Sequence, residues 1–416
     1  MADGALATLA IVALTILGML IRPWRAPEFV FAGAGALALL AAGLLPLASA
    51  FAAVARGYDV YLFLVGMMLL AEVARQQGLF DWMAGHAARA ARGSARRLFA
   101  LVYGVGVLVT VFLSNDATAV VLTPAVYAAA RAARVEPLPY LYICAFIANA
   151  ASFVLPISNP ANLVVYGERL PALGPWVKTF AAPSLAAIIA TYVALRWTQR
   201  RALAAQLAPM PEVEPLTAAG KAAGLTLALA AVVLVGASAL GRDLGAPTLA
   251  CGVLSLVAAS LVAAASPAPV LKHVAWSVLP LVAGLFVLVA GLEQVGVVRG
   301  IADWLAGHQQ RAPMQTALLA GLTAGFGANL VNNLPLGLLA GAAGHAAHAP
   351  DEVMAGLLIG VDLGPNLSVT GSLATILWLI AIRREGEHVG GLRFLALGAV
   401  VMPPALLLAL AALVLV

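Results

Sequence analysis

The stretch that decides the fold is Val109-Thr110-Val111-Phe112-Leu113-Ser114-Asn115-Asp116-Ala117-Thr118-Ala119-Val120-Val121. Three polar residues, one of them a carboxylate, stand in the middle of the apolar region Leu98–Ala130. Each half of that region is about 14–16 residues, or about 21–24 Å of helix, short of the roughly 20 residues a bilayer crossing needs. The spacing predicts a re-entrant hairpin with its polar tip at membrane depth. A second region, Met314–Ala347, is interrupted in the same way by Asn329 and Asn332-Asn333 and predicts a second hairpin.

The rest of the chain reads as lipid-embedded helix. Of its 416 residues 63% are hydrophobic and 10% charged, with mean hydropathy +1.00. A soluble domain carries about 25% charged residues, so this chain cannot cover a water-facing surface. Apolar runs near bilayer length fall at roughly 4–21, 28–50, 58–76, 138–167, 175–198, 218–240, 246–266, 274–295, 352–380 and 392–416. They lack the alternation of a membrane barrel, which leaves helix as the spanning element. The N-terminal run is too long, and its start too poor in positive charge, for a secretory signal; it reads as the first span. Cys144 and Cys251 both lie in apolar runs and imply neither a disulfide framework nor a thiolate metal centre. The net charge of +5 has no soluble basic domain behind it, so nucleic acid is not a partner.

The two halves resemble each other. Asp81-Trp82-Met83-Ala84-Gly85-His86 returns as Asp303-Trp304-Leu305-Ala306-Gly307-His308. Glu72 and Glu293 precede these motifs, and the tips Asn115-Asp116 and Asn332-Asn333 follow them. Asn149 and Asn366 then stand at matching distances after the tips. Residues 1–198 and 218–416 are the expected repeats, joined by the linker 199–217. Five spans plus one hairpin per repeat turn the second copy upside down, the inverted arrangement of many secondary transporters. With both hairpins re-entrant, one face gathers 17 of the 23 lysines and arginines, including Arg22, Arg25, Arg75, Arg89 to Arg97 and the linker arginines. That face is expected to be cytoplasmic, with both termini outward. The first hairpin then enters from the cytoplasm and the second from outside. The arginines around Arg89–Arg97 read as topology determinants in contact with lipid headgroups.

Polar groups at bilayer depth are costly and mark substrate or ion paths. Four segments qualify: Ser114-Asn115-Asp116; Pro156-Ile157-Ser158-Asn159-Pro160-Ala161-Asn162; Asn329 with Asn332-Asn333; and Asp362-Leu363-Gly364-Pro365-Asn366 leading to Thr370-Gly371-Ser372. Proline and glycine break the helices there and expose half-helix ends. The four interruptions are expected to converge on one midplane site. Asp116 is the first candidate proton carrier and Asp362 the second, because withdrawal from water favours the neutral acid. Ser114, Asn115, Asn159, Asn162, Asn332, Asn333, Asn366, Thr370 and Ser372 are the candidate substrate contacts, through hydroxyl and carboxamide hydrogen bonds. Glu72 and Glu293 read as interfacial anchors, and His345-x-x-His348 with Asp351-Glu352 as a solvated turn. No phosphate loop, nucleophile elbow or zinc motif stands in a fitting context. Nothing points to an enzyme, a metal or a cofactor.

At these same segments the chain resembles a known family. Phe112 to Pro124 is similar to the first hairpin of the ion transporter superfamily, and Leu155 to Leu163 to its first unwound span. Gly360 to Asn366, Thr370 to Trp378 and Asn332-Asn333-Leu334-Pro335 resemble the ArsB-type arsenite and antimonite efflux permeases. Dicarboxylate carriers of the superfamily carry Ser-Asn-Thr at both tips. Here the tips are Ser-Asn-Asp and Val-Asn-Asn, which favours proton over sodium coupling and disfavours a dianion beside Asp116. The resemblance implies a secondary transporter in a bacterial-type inner membrane that exports the neutral trihydroxide of trivalent arsenic or antimony by proton antiport. Docking with a separate soluble ATPase and a homodimer are further implications. Another superfamily carrier, such as a sodium/proton antiporter or an anion permease, and a non-transporting membrane scaffold are the competing readings.

Overall fold

The computed structural model describes residues 2–23, 26–208 and 212–415. Arg25, counted above, and residues 209–211 of the expected linker lie outside the described residues. The described chain is helical, with a single bridge between Ser94 and Gln206. Seven helices are long and apolar enough to cross a bilayer unaided: Asp3–Ile21, Ala95–Phe112, Leu173–Thr198, Ala218–Ala239, Gly245–Ala263, Pro313–Val331 and Gly391–Leu413. Leucines and valines stand exposed along their outer faces, as lipid-facing helices require.

The run expected as one span over 28–50 is two helices, Glu28–Ala41 and Leu47–Arg56. Gly43, at φ +67°, closes the first, and Pro46, with no N–H to give, sits immediately before the second. The expected hairpins form, but with longer arms. The first arms are Ala95–Phe112, 18 residues, and Pro313–Val331, 19 residues. They start earlier than hydropathy suggests because Ser94 caps the first, accepting from Arg97 N–H at 3.3 Å, and Pro313 opens the second.

Both hairpins return to the face they leave. Leu207 N–H donates to Gly93 O and Ala208 N–H to Ala133 O, each at 3.0 Å, so one strand of linker touches both ends of the first hairpin. Gln309 Nε2 donates to Ala347 O at 2.9 Å across the mouth of the second. An element whose two ends share one tether has not crossed the membrane between them.

The two halves are built alike. In each, a glycine in left-handed backbone, Gly78 at φ +71° and Gly296 at φ +85°, turns a buried helix into an amphipathic one. Those amphipathic helices, Leu79–Ala90 and Val297–Gln309, carry the repeated motif. His86 Nδ1 lies 2.9 Å from Trp82 O, and His308 Nδ1 2.7 Å from Trp304 O. Packing between halves is exchanged in the manner of a two-fold: Tyr58–Gln76 lies along Gly245–Ala263, Val278–Gln294 along Glu28–Ala41, and Leu173–Thr198 along Gly391–Leu413.

The most extensively packed helix pair in the second half is Pro313–Val331 against Asp351–Leu363. A column of small residues allows it. A Cβ on Gly356, Gly360 or Gly364 would meet the backbone oxygen of Ala317, Gly321 or Gly325 in turn. Without a hydrophobic drive between helices in lipid, such close approach supplies the packing energy. Gly360→Leu is therefore expected to destabilise the protein by about 1–3 kcal/mol or more, read as a lower melting temperature in detergent. Gly104, with open space around its Cβ position, should take leucine with little change.

Candidate functional site

At the first tip the helix breaks at Leu113-Ser114. Ser114 is extended, at φ 174°, and caps the returning arm by accepting from Ala117 N–H at 3.2 Å. Asn115 Oδ1 accepts from Asp116 N–H at 2.9 Å. A π-helical turn, Thr118–Leu122, follows, and Thr118 Oγ1 lies 2.8 Å from Thr110 Oγ1 on the facing arm. Such bulges recur at functional positions.

At the second tip Asn332 turns the chain with φ +72° and caps Asn333–Ala346, its side chain accepting from Leu334 N–H at 3.3 Å. Its Nδ2 donates to Thr370 O at 3.3 Å. Asn329 Nδ2 donates to Gly325 O and Gly364 O at 3.0 Å, and its Oδ1 accepts from Ser368 Oγ at 2.7 Å. Thr370 Oγ1 donates to Asn329 O at 3.2 Å. The second tip is thus stitched to the break of its own half.

The two broken spans follow one plan. Leu138–Ala150 gives way to a short turn, Pro156–Ser158, before Pro160–Tyr166. Asp351–Leu363 gives way to Gly364–Asn366 and Val369–Gly371 before Leu373–Arg384. Asn159 caps the first restart, accepting from Ala161 N–H at 3.0 Å, and Ser372 the second, accepting from Thr375 N–H at 3.1 Å. Asn162 Nδ2 donates to Ser152 O at 2.9 Å and to Leu155 O and Pro156 O at 3.2 Å, collecting carbonyls the break has freed. Ser158 Oγ reaches the first hairpin at Val111 O, 3.0 Å away.

The halves meet through these breaks. Asp362 is fully buried. Its Oδ2 accepts from Ser152 Oγ at 2.6 Å and its Oδ1 from Asn159 Nδ2 at 2.9 Å, both donors belonging to the first half. Asn149 Nδ2 donates to Asn366 Oδ1 at 3.0 Å, and Asn366 Nδ2 to Phe146 O at 3.0 Å. The helices also re-register the repeat. Asn149 and Asp362 are each the penultimate residue of the helix that ends at the break, so Asn149 corresponds to Asp362 and not to Asn366. By the same capping logic Ser114 corresponds to Asn332, which leaves Asp116 opposite Leu334.

Two cavities open on opposite faces. One, of about 90 Å³, lies on the linker side and is lined by Ser114, Asp116, Pro160, Glu72, His273 and Leu377 among others. The second, of about 310 Å³, is lined by Arg56, Arg169, Glu293 and His345 together with the apolar Leu163, Val164, Leu338 and Gly341. Only the first reaches a tip. Its lining does not include Asn332 or Asn333, so the common pocket expected at the midplane is not open: the broken spans pack between the tips. Asn115, Asn159, Asn162, Asn333, Asn366 and Ser372 are buried, Asn332 touches a void of about 10 Å³, and Thr370 is half-buried at the second tip.

Glu72, read from sequence as an interfacial anchor, is instead buried and lines the cavity of Asp116. Arg75 Nε donates to its Oε2 at 2.8 Å and Gln76 Nε2 to its Oε1 at 2.8 Å. The signal was available: the partners are one turn away, and Glu293 repeats the residue in the other half. His345 likewise lines a cavity where a solvated turn is expected. Asn149, Ser152, Asn329 and Ser368 join the polar network without having stood among the candidate site residues.

Re-entrant hairpins, exchanged packing and paired broken spans define a multi-pass membrane transporter of the inverted-repeat type. The chain belongs to the citrate transporter family (CitMHS), whose model matches residues 9–384. It is similar to the arsenical pump membrane protein of Escherichia coli, 27% identical over 368 residues that make up 84% of this chain and 85% of that one. That of Yersinia enterocolitica is 26% identical over 366 residues, with 84% and 85% covered. The crystal structure of the Alcanivorax borkumensis YdaH transporter, described as having an unusual topology, matches with TM-score 0.59 at 17% identity, over 88% of this chain and 86% of that one.

Removing the Asp362 carboxylate leaves Asn159 Nδ2 without an acceptor in a dry interface, while Ser152 Oγ keeps Asn149 O at 2.7 Å. An unmet buried donor costs about 1–3 kcal/mol. Asp362→Ala is expected to lower the melting temperature in detergent sharply, and Asp362→Asn, which keeps one acceptor oxygen, to lower it less.

Proposed function

We propose that this chain exports arsenite and antimonite as their neutral trihydroxides, with protons moving inward in exchange. The observation that carries the reading is Asp116, a carboxylate at a hairpin tip that lines a cavity open to one face. Ser114 beside it offers a hydroxyl to the metalloid's own hydroxyls. Asp116 and Glu72 lie on the same cavity. Glu72 is neutralised by Arg75, so the charge on that cavity is the Asp116 carboxylate, which in a partly dry space repels an anionic cargo and a neutral one hardly at all. The relatives, named arsenical pump membrane proteins, support an arsenical as the substrate. In this reading residues 1–198 and 218–416 are the two repeats, the linker face is cytoplasmic, and both termini point outward. The structure then stands open toward the cytoplasm. Asp116 and Asp362 have different parts: Asp116 exchanges the proton, while Asp362 joins the halves. Asn115, Asn159, Asn162, Asn332, Asn333, Asn366, Thr370 and Ser372 meet the metalloid as the breaks part from the tips.

The test uses everted membrane vesicles with an acidic lumen, where export reads as arsenite uptake. Asp116→Asn is expected to reduce pH-driven uptake by roughly 100-fold, the order a positioned proton-transfer group contributes. Undiminished uptake removes Asp116 from the mechanism. Expression in an arsenite-sensitive bacterium should restore growth on arsenite. Rescue confined to high sodium, or proton-driven citrate uptake without arsenite uptake, would overturn the substrate.

A further inference from the structure

The cavities on the two faces are counterparts. Each is walled by the helix that precedes the amphipathic turn, Tyr58–Gln76 or Val278–Gln294, and by the restarted half of a broken span. Each also touches the returning arm of a hairpin. Each contains a glutamate from the same place in its repeat, Glu72 or Glu293. An arginine accompanies each: Arg75 with Glu72, and Arg56 Nη2 at 3.2 Å from Glu293 Oε2. A histidine stands on each wall as well, His273 on the linker side and His345 on the other. Interfacial anchoring does not explain Glu72, which is buried, and Glu293, half-exposed, stands at the matching place on the other face.

We propose that Glu72 and Glu293 are the two proton-exchange residues of the transporter, Glu72 passing protons between Asp116 and water on the linker face and Glu293 receiving them on the opposite face. This rests on the reading of Asp116 as the carried acid. Glu72 and Asp116 line one cavity of about 90 Å³, space for several waters at about 10–15 Å³ of such volume each. A proton leaves the Asp116 carboxyl, crosses those waters and joins a Glu72 carboxylate oxygen, which then releases it to bulk water. The groups facing Glu72 are Arg75, Gln76, His273 and Asp116. Arg75 and Gln76 hold its carboxylate in the cavity wall. Facing Glu293 are Arg56, Arg169 and His345. On that side Leu163, Val164, Leu338 and Gly341 are part of a lining that reaches no hairpin tip, so transfer onward to Asp116 waits until that packing opens.

The experiment varies bath and luminal pH independently in everted vesicles and follows arsenite uptake. The bath then meets the linker face. Glu72→Gln is expected to lose the response to bath pH, and Glu293→Gln the response to luminal pH. Glu72→Asp and Glu293→Asp should restore each. Asp116→Asn should lose both. If Glu72→Gln alone fails to fold because Arg75 is stranded, the double variant Glu72→Gln/Arg75→Gln removes both charges and carries the same expectation. Unchanged responses to both pH values in the glutamine variants would sink the relay while Asp116→Asn still abolishes coupling. A uniform loss of uptake with no selectivity for side would show the glutamates to be structural. Retained coupling in Asp116→Asn would overturn the underlying reading instead.

Discussion

Every helix interrupted at bilayer depth releases backbone N–H and C=O groups that lipid cannot satisfy, at a cost of several kcal/mol each. Among the described residues four such interruptions carry polar side chains that meet these groups. Ser114, Asn159, Asn332 and Ser372 each cap a restarting helix. Asn162 and Asn329 take up freed carbonyls. The polar residues that look like a binding site in sequence are therefore first the groups that allow the backbone to be non-helical there at all. Substrate contact is a second duty, open to those groups that can trade a backbone partner for a ligand.

The same requirement explains why the halves hold together at the centre. Asp362 and Asn149 sit at equivalent helix ends and reach into the opposite half, one as acceptor and one as donor. An exact copy would place two carboxylates, or two amides, in the same dry interface. Divergence to one of each lets both find complementary partners. Divergence at the tips has the opposite outcome: Asp116 has Leu334 as counterpart, so a single tip carries an acid. The duplication supplies the frame, and the departures from it supply the chemistry.

The interruptions were legible because three polar residues in a long apolar run have no inexpensive alternative, and so were both hairpins, both broken spans and the inverted repeat. The arm lengths were not, since Ser94 and Pro313 fix helix starts by capping and not by hydropathy. The division of 28–50 was missed although Gly43 and Pro46 stood in view, because the whole stretch is apolar enough to cross. Equal sequence spacing paired Asn149 with Asn366, but the second break holds two short turns between its helices where the first holds one, and helix ends, not residue counts, set the register. Glu72 was misplaced for a different reason. Its neighbours one turn on, Arg75 and Gln76, fold back over it, and a linear hydropathy profile does not show which side chains cover a carboxylate.

The contact most able to give way is on the closed side. Asn333–Ala346 packs against Pro160–Tyr166 through Gly337 and Gly341, which lie against Val164 and Val165. That surface is apolar and glycine-lined, with no side-chain hydrogen bond among those described crossing it. The polar links of Asp362, Asn149 and Asn366, by contrast, tie the halves through several directional bonds. A smooth apolar seam can slide at the expense of dispersion contacts worth about 0.1–0.2 kcal/mol per atom pair, whereas each broken buried hydrogen bond leaves a polar group unmet. Opening toward the face of Glu293 is therefore expected to run along that seam, parting the second hairpin from the first half's restarted helix and exposing Asn332 and Asn333.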